Sequence, residues 1–131
     1  MGDTDALLAA NAAFYAAFNA RDAGAMADLW ATDDNVCCIH PGWSILSGRK
    51  QVLSSWREIF AAGTTPTVTC RQPQAIPSAD GGVVICYEAV SDQLLAATNV
   101  FRREDGGLRL LHHQAGPCAT GPDADSAATR H

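Results

Sequence analysis

Residues 98–117 read TNVFRREDGGLRLLHHQAGP, and this stretch constrains how the rest of the chain can fold. Two β-prone segments flank Asp105-Gly106-Gly107, whose glycines accept the positive φ of a tight hairpin turn. The segments carry an asparagine, three arginines and a pair of histidines among apolar residues. Polar groups on strands that are mostly buried must find partners or line a cavity. The stretch therefore predicts a hairpin whose polar side chains face a cavity.

The remaining residues divide into a helical part and a strand part. Apolar residues recur at intervals of three and four over residues 3–20, and shorter helical patterns follow Asp22 and Gly48. After Pro66 the apolar period changes from that of a helix to that of a strand. The predicted strands cover residues 36–40, 43–46, 67–76, 83–90, 94–103 and 108–115. Segregated helices and strands predict an α+β fold, with three N-terminal helices packed on a mostly antiparallel sheet.

Length and charge narrow the possible functions. The chain has 131 residues, which predicts one domain over residues 1–118, and the small polar residues 119–131 predict a disordered tail. The net charge is −5 and the nine Lys and Arg residues form no cluster, which argues against a nucleic-acid partner. No apolar run is long enough to span a bilayer, and the first residues lack the pattern of a secretory signal. We therefore expect a cytoplasmic protein without a membrane partner.

The cysteines give no metal-binding pattern. Their number is five, and an odd number favours buried, reduced thiols in a cytosolic protein. A site built from Cys38, His40 and His113 is conceivable, but neither a C-x-x-C nor an H-x-x-x-H spacing supports it. No glycine-rich phosphate loop or serine elbow occurs either. The sequence therefore predicts neither a metal nor a bound cofactor.

Alternation along the later strands predicts two covered faces. Residues 83–90, VVICYEAV, are apolar on both sides of the strand. One face is expected to meet the helices and the outer face a second copy of the chain. In the hairpin, strict alternation groups Asn99 with Phe101, His113 with Leu111, and His112 with Leu110. The alternation alone does not say which group faces inward.

Four segments carry a family resemblance. CCIHPGW, SGRKQVLSSW and the hairpin, together with FYAAFNARD near the start, resemble the SnoaL-like branch of the nuclear transport factor 2-like superfamily. The resemblance covers roughly residues 5–117. It implies a cone-shaped α+β barrel, in which a strongly bent sheet wraps the first helix and leaves a pocket, and a homodimer through the outer sheet face. Members include ketosteroid isomerases, polyketide cyclases, epoxide hydrolases, dehydratases and kinase association domains, so the fold does not select a reaction.

The resemblance also orients the candidate catalytic residues. In the kinase association domains the positions matching Glu88 and Asn99 are pocket arginines, which predicts that Glu88, Asn99 and His113 face inward. Burial would raise the pKa of Glu88, and His113 or His40 could exchange a proton with it or with a ligand. Asn99 could donate to a carbonyl oxygen that gains charge. These four residues are the predicted catalytic set.

Five aromatic residues are predicted to contact a ligand. Tyr15 could supply a hydroxyl donor, and the others would wall the site and exclude water: Trp30, Trp43, Trp56 and Phe101. Each also has a structural interpretation, because tryptophans, and a tyrosine at helical spacing, commonly belong to a core.

The polar candidates have structural interpretations too. Glu88 could pair with Arg71 or Arg109 on a neighbouring strand. His40, which precedes a proline, could be a turn residue bonded to the backbone, and His112 could lie at a dimer face.

Together these residues suit proton transfer beside a carbonyl, or addition and elimination of water. The sequence predicts a cofactor-independent isomerase, cyclase or dehydratase that acts on a small hydrophobic carbonyl compound. The alternative is a non-catalytic ligand-binding or dimerisation module of the same fold. Departures from the family pattern leave the choice open: Leu108 stands where relatives commonly have Trp, and Gln114 where they have His. The segment after the first strand offers His40 in place of the isomerase aspartate.

Overall fold

The computed structural model describes residues 2–119, so residues 120–131 of the predicted tail lie outside the described part. Three helices and six strands follow one another in the described chain. The helices are α1 (Asp3–Ala20), α2 (Ala23–Leu29) and α3 (Arg49–Ala61). The strands are β1 (Cys37–Ile39), β2 (Leu46–Ser47), β3 (Val68–Ser78), β4 (Gly81–Val90), β5 (Gln93–Glu104) and β6 (Gly107–Pro117). Between residues 2 and 119, no helix is apolar over the length that a bilayer requires.

All six strands belong to one sheet, in the order β2-β1-β6-β5-β4-β3. Neighbouring strands run antiparallel except β1 and β6, which are parallel. The prediction of three helices on a mostly antiparallel sheet is confirmed. Because β2 and β3 are free edges, however, the sheet is open and the predicted barrel does not close.

The turn between β5 and β6 follows from its sequence. Glu104 pairs with Gly107, which leaves only Asp105 and Gly106 in the loop. Their φ values are 54° and 80°, as a two-residue hairpin turn requires at both positions. Aspartate tolerates this left-handed conformation better than most residues, and glycine adopts it freely. The predicted tight turn is confirmed, and it fixes the register that pairs Asn99 with His113.

A β-bulge in β6 changes which side chains point inward. Val100 pairs with His112 but Phe101 pairs with Leu110, so Leu111 is an extra residue without a partner. Strict alternation grouped His113 with Leu111, and this part of the prediction is wrong. Leu110 is fully buried and His113 is only 2% exposed, whereas Leu111 is half-buried. The bulge thus brings Leu110 and His113 to the same inner face.

Strand β3 is an edge strand with an irregularity, as Pro73 predicts. Its pairing with β4 shifts register between Arg71 and Gln74, and Gln72 has a positive φ of 51°. The extra residues increase the local twist and let the strand bend over α1.

Helix α1 lies against the inner face of the sheet, mainly on β3 and β4. Its buried residues are Leu7, Asn11, Phe14, Tyr15 and Ala17. Asn11 and Tyr15 are four residues apart and therefore lie one above the other on the same helical face. The helix thereby places two polar side chains opposite the polar residues of β4, β5 and β6.

Candidate functional site

Five polar side chains meet between α1 and the inner face of the sheet. They are Asn11 and Tyr15 of α1, Glu88 of β4, Asn99 of β5 and His113 of β6. All are at most 5% exposed, so they form a buried polar cluster, and this name is used below for these five residues. Buried polar groups of this kind are stable only when they are hydrogen-bonded.

Hydrogen bonds connect the members of the polar cluster. The Tyr15 hydroxyl donates to Glu88 Oε2 at 2.6 Å. Asn99 Nδ2 donates to Asn11 Oδ1 at 2.8 Å and, more weakly, to the Tyr15 hydroxyl at 3.3 Å. Asn99 Oδ1 lies 2.6 Å from His113 Nδ1. Asn99 is therefore the central member, bonded to three of the other four.

These bonds fix the tautomer of His113. Because the Asn99 amide nitrogen already donates to Asn11, its oxygen faces His113 and can only accept. His113 must then carry its hydrogen on Nδ1, which leaves the Nε2 lone pair directed towards Glu88 Oε2 at 3.9 Å. That separation is too long for a hydrogen bond, and it leaves a gap between an imidazole lone pair and a carboxyl group.

Burial shifts the protonation of the polar cluster towards neutral forms. The pKa of Glu88 is raised by burial, although the hydrogen bond from Tyr15 opposes this. The pKa of Tyr15 is also raised, first by burial and then by the Glu88 charge. Burial, with the charges of His40 and His112, lowers the pKa of His113 to about 3. His113 and Glu88 are therefore not an ion pair near neutral pH, despite their proximity.

His40 lies beside the polar cluster and belongs to a second hydrogen-bonded group. The Ser55 hydroxyl donates to the Val52 carbonyl at 2.7 Å, so it accepts from His40 Nε2 at 2.9 Å. Burial lowers the pKa of His40 to about 4, which keeps the ring neutral. The His40 and His113 ring centroids are 6.4 Å apart. His40 is thus both the first residue of the Pro41-Gly42 turn, where its carbonyl accepts from the Trp43 N–H at 2.9 Å, and a buried residue whose side chain is bonded to Ser55.

Aromatic rings enclose the two histidines. The Phe14 ring lies 4.8 Å from His113, and Trp56 lies 5.9 Å from His113 and 4.6 Å from His40. Trp43 packs edge-on against His40 at 4.8 Å while 37% of its surface remains exposed. The indole nitrogen of Trp56 is buried without a hydrogen-bond partner among residues 2–119. An orphan donor of this kind is costly unless a bound polar atom satisfies it.

Two predicted ligand-binding residues lie elsewhere. Trp30 is completely buried and forms an isolated β-bridge with Leu110, and its carbonyl accepts from Arg49. Phe101 faces inward on β5 and is 4% exposed. In the described chain, neither residue has a hydrogen bond or ring contact with the polar cluster. Both belong to the hydrophobic core, although the indole nitrogen of Trp30, like that of Trp56, is buried without a hydrogen-bond partner among residues 2–119.

The pairing of Glu88 with Arg109 is not observed in the described chain, and its pairing with Arg71 stays a prediction. Arg109 instead lies 3.8 Å from Glu104 and donates to the Asp28 carbonyl. Glu88 accepts its hydrogen bond from the Tyr15 hydroxyl. Sequence reasoning missed Asn11 and Ser55, although Asn11 left a signal as the one amide in the apolar stripe of α1.

The polar cluster lines none of the following three cavities on residues 2–119. One, of about 530 Å³, is lined by Trp43, Leu46, Lys50, Gln51, Ser54, Ser55 and Glu58. Ser55, which lines this cavity, is hydrogen-bonded to His40, so a single side chain separates the cavity from His40. A second, of about 640 Å³, lies on the outer face of β4, β5 and β6, and a third, of about 240 Å³, lies beside Phe101. Over residues 2–119 no group of three or more acidic, cysteine or histidine side chains could hold a metal ion.

Two solved structures share this fold and a substantial part of the sequence. One is a candidate dehydratase of the NTF2-like family from Streptomyces avermitilis, 33% identical, with a TM-score of 0.79 over 90% of this chain and 97% of that chain. The other is a candidate calcium/calmodulin-dependent protein kinase type II association domain from Thiobacillus denitrificans. It is 38% identical, with a TM-score of 0.74 over 86% of this chain and 94% of that chain.

A curated relative and a family profile agree with the structural neighbours. The F-box protein SKIP8 of Arabidopsis thaliana is 28% identical over 114 residues, which is 86% of this chain and 49% of the relative. This chain therefore spans about half the length of that relative. The profile of the SnoaL-like domain matches residues 7–119. The chain belongs to the SnoaL-like domain family, a branch of the nuclear transport factor 2-like superfamily.

Proposed function

We propose that the polar cluster is the proton-transfer site of a cofactor-independent isomerase, cyclase or dehydratase that acts on a small hydrophobic carbonyl compound. One observation carries this proposal: a carboxyl group and an imidazole lone pair face each other across 3.9 Å in a buried, aromatic-walled region. Groups with perturbed pKa values that converge in this way are typical of acid–base sites. The similarity to a candidate dehydratase from Streptomyces avermitilis supports the same class.

The roles follow from the bonding. Glu88, whose pKa is raised by burial, is matched to removing a proton from the carbon beside a carbonyl near neutral pH. Glu88 would itself return that proton at another atom of the ligand, and neutral His113 Nε2, whose pKa is lowered to about 3, would accept a hydrogen bond from protonated Glu88 or from a ligand hydroxyl group. Asn99 is a positioning residue, because its amide is committed to Asn11, Tyr15 and His113. The earlier expectation that Asn99 donates to the ligand carbonyl stays a prediction, and the unpartnered Trp56 N–H is a second donor for that oxygen.

The ligand would enter through the cavity beside Trp43. This cavity, of about 530 Å³, is large enough for a small organic molecule and ends at Ser55. Trp43 lines this cavity and also packs against His40 at 4.8 Å, and the residue is 37% exposed. Rotation of the Trp43 side chain would connect the cavity with His40 and His113.

The test is isotope exchange in deuterated water. The full chain is incubated with a panel of apolar ketones, β,γ-unsaturated ketones and β-hydroxy ketones, and the products are followed by NMR. For at least one class of compound we expect one of three changes. Deuterium enters at the carbon beside the carbonyl, the double bond moves, or the hydroxyl group leaves as water. Absence of exchange for every compound, including any that shifts the melting temperature, would overturn the enzymatic proposal.

A specific observation favours the second candidate, a non-catalytic ligand-binding or dimerisation module. Every member of the polar cluster has a hydrogen-bond partner, and none of the three cavities includes it. A buried network whose members are hydrogen-bonded to one another is compatible with a purely structural role, in which it specifies how α1 packs on the sheet. The same isotope experiment separates the two candidates, because a binding module shifts the melting temperature without exchange.

The proposal includes a homodimer through the outer face of the sheet. The groove of about 640 Å³ on this face is lined by residues of β3, β4, β5 and β6, among them Ile85, Thr98 and Gln114. Ile85 is 39% exposed and Ile76, on the neighbouring strand, is 49% exposed. Large apolar side chains exposed on one sheet face are typical of an interface between copies of a chain.

Replacing Ile85 by Glu is expected to weaken self-association. A charge buried without a partner costs more than about 1.4 kcal/mol, so the dissociation constant should rise at least about tenfold. Ile45→Glu is the matched control, because Ile45 is 68% exposed in the loop between β1 and β2, away from the groove. Sedimentation velocity gives the oligomeric state, and equal profiles for the two variants would contradict the proposed interface.

A further inference from the structure

A cysteine and a histidine on the outer face of the sheet are in contact, and the proposed reaction uses neither. Cys37 Sγ lies 3.1 Å from His112 Nδ1. The two residues are register partners on the parallel strands β1 and β6. Their sequence neighbours Cys38 and His113 are buried on the inner face, so Cys37 and His112 project outward. Both are half-buried, and neither lines the groove proposed as the dimer interface.

The backbone fixes how the imidazole meets the sulfur. His112 Nδ1 also lies 3.2 Å from the carbonyl oxygen of Cys37. A carbonyl oxygen only accepts hydrogen bonds, so it attracts Nδ1 when this nitrogen carries a hydrogen and repels it otherwise. The same Nδ1–H is then shared with Cys37 Sγ, and its hydrogen bond stabilises negative charge on the sulfur. The contact therefore favours the thiolate, which is the nucleophilic form of cysteine.

Apolar side chains continue from this pair across the sheet. His112 pairs with Val100 of β5, which pairs with Val83 of β4. Val83 in turn pairs with Ile76 of β3. Directly paired residues on neighbouring strands share a face, so these side chains stand in one outward row. Val83 and Val100 also line the cavity of about 240 Å³. An apolar chain that extends from Cys37 along this row would therefore lie against apolar side chains.

We propose that Cys37 is a covalent modification site for apolar α,β-unsaturated carbonyl compounds, and that His112 is the positioning residue that stabilises the attacking thiolate. The row of Ile76, Val83 and Val100 selects compounds with an apolar chain. The assignment rests on the 3.1 Å contact, the shared carbonyl acceptor and the half-buried thiol. It is independent of whether the polar cluster performs proton transfer.

The addition balances without a co-reactant. The Cys37 thiol releases its proton to water, and the thiolate attacks the β-carbon of the ligand. A carbon–sulfur bond forms while the carbon–carbon π bond breaks, and the π electrons move towards the carbonyl oxygen to give an enolate. The enolate then takes up one proton from water at the α-carbon. The product is a thioether whose mass is the sum of protein and ligand, and nothing is oxidised or reduced.

The other cysteines of the described chain have different surroundings. Cys38 is fully buried, and Cys86 is only 6% exposed. Cys70 is the register partner of the inward-facing Glu88, and its sulfur lies beneath α1. Cys118 is half-buried, and its thiol donates to a backbone carbonyl at 3.7 Å, which favours the protonated form. Cys118 is therefore the internal reference for the reactivity of a partly accessible thiol.

Alkylation of the reduced full chain, followed by peptide mapping, tests the site without an activity assay. The two probes are α,β-unsaturated methyl ketones that carry a pentyl or a methyl group on the β-carbon. We expect Cys37 to carry the first adduct of the pentyl probe, at a rate at least about tenfold that of Cys118. At Cys37 the pentyl probe should react about fivefold faster than the methyl probe, because its chain buries apolar surface on the valines. At Cys118 the two probes should react at similar rates.

Replacing His112 by Ala separates stabilisation of the thiolate from simple shielding. Loss of the ring widens access to Cys37, so labelling would become faster if the ring only covered the thiol. We expect instead that the Cys37 rate falls at least about threefold, because the donor to the thiolate is lost, while the Cys118 rate is unchanged. Gln114→Ala, two residues along the same face of β6, is the matched control and should leave both rates unchanged.

Other results would overturn the assignment. Equal rates at Cys37 and Cys118, a first adduct at any other cysteine, or faster labelling in His112→Ala contradicts it. So does labelling of Cys37 that occurs only in Ile85→Glu, because a second copy of the chain would then cover the thiol. Circular dichroism and the melting temperature establish that each variant is folded. If His112→Ala unfolds, the comparison of the two probes on the wild-type chain still decides, since equal rates of both probes at Cys37 contradict the apolar row.

Discussion

Replacing Glu88 by Gln is expected to slow proton exchange on the ligand by a factor of about 100 to 10,000. Glutamine has the shape of glutamate but cannot remove a proton, so the loss reports the acid–base role alone. The Tyr15 hydroxyl, which donates to Glu88 Oε2 at 2.6 Å, can still donate to the amide oxygen. The fold should therefore persist, with a free energy of unfolding close to that of the wild type.

Asp92→Asn is the matched control for this substitution. It also converts a carboxylate to an amide, but at an exposed residue in the turn between β4 and β5. Its exchange rate should equal that of the wild type. Equal exchange rates for Glu88→Gln and the wild type, with both folded by circular dichroism, would show that the carboxyl group performs no proton transfer.

Much of the inner face could be predicted from the hairpin. The Asp105-Gly106 turn fixes the pairing of Asn99 with His113, so two members of the polar cluster follow from local turn chemistry. The inward direction of Glu88 came from family resemblance, because alternation alone is symmetrical between the two faces. The β-bulge at Leu111 carries no such local signal, and it exchanged the places of Leu110 and Leu111.

The contacts between elements could not be predicted. Periodicity shows that Asn11 and Tyr15 share a face of α1, but which strand residues they meet depends on how the helix docks on a twisted sheet. The same limit applies to the tryptophans. Trp30 and Trp56 are equally apolar in the sequence, yet only Trp56 lies beside His40 and His113. Burial alone does not distinguish a core ring from a ring that walls a site.

Acid is expected to unfold the protein chiefly through His113. Its pKa is about 3 in the folded chain and 6.5 in an ordinary environment, so between these values the unfolded chain binds the extra proton. The free energy of unfolding therefore falls as the pH falls through this window, by on the order of 5 kcal/mol. His40, with a pKa of about 4, acts in the same direction. Glu88 acts in the opposite direction, because its raised pKa makes the folded chain bind the proton first as the pH falls.

His113→Asn should therefore flatten the dependence of stability on pH. The asparagine amide can occupy the place of Nδ1 and donate to Asn99, but it does not titrate. Phe101→Leu is the control, because Phe101 is 4% exposed in the hydrophobic core without a ring contact to His113 in the described chain, so its loss lowers stability equally at every pH. Urea unfolding between pH 4 and 7 gives the slopes. Glu88→Gln should steepen the acid loss, since it removes the opposing group. A slope unchanged in both His113→Asn and Glu88→Gln would mean that the pKa of neither side chain differs between the folded and the unfolded chain.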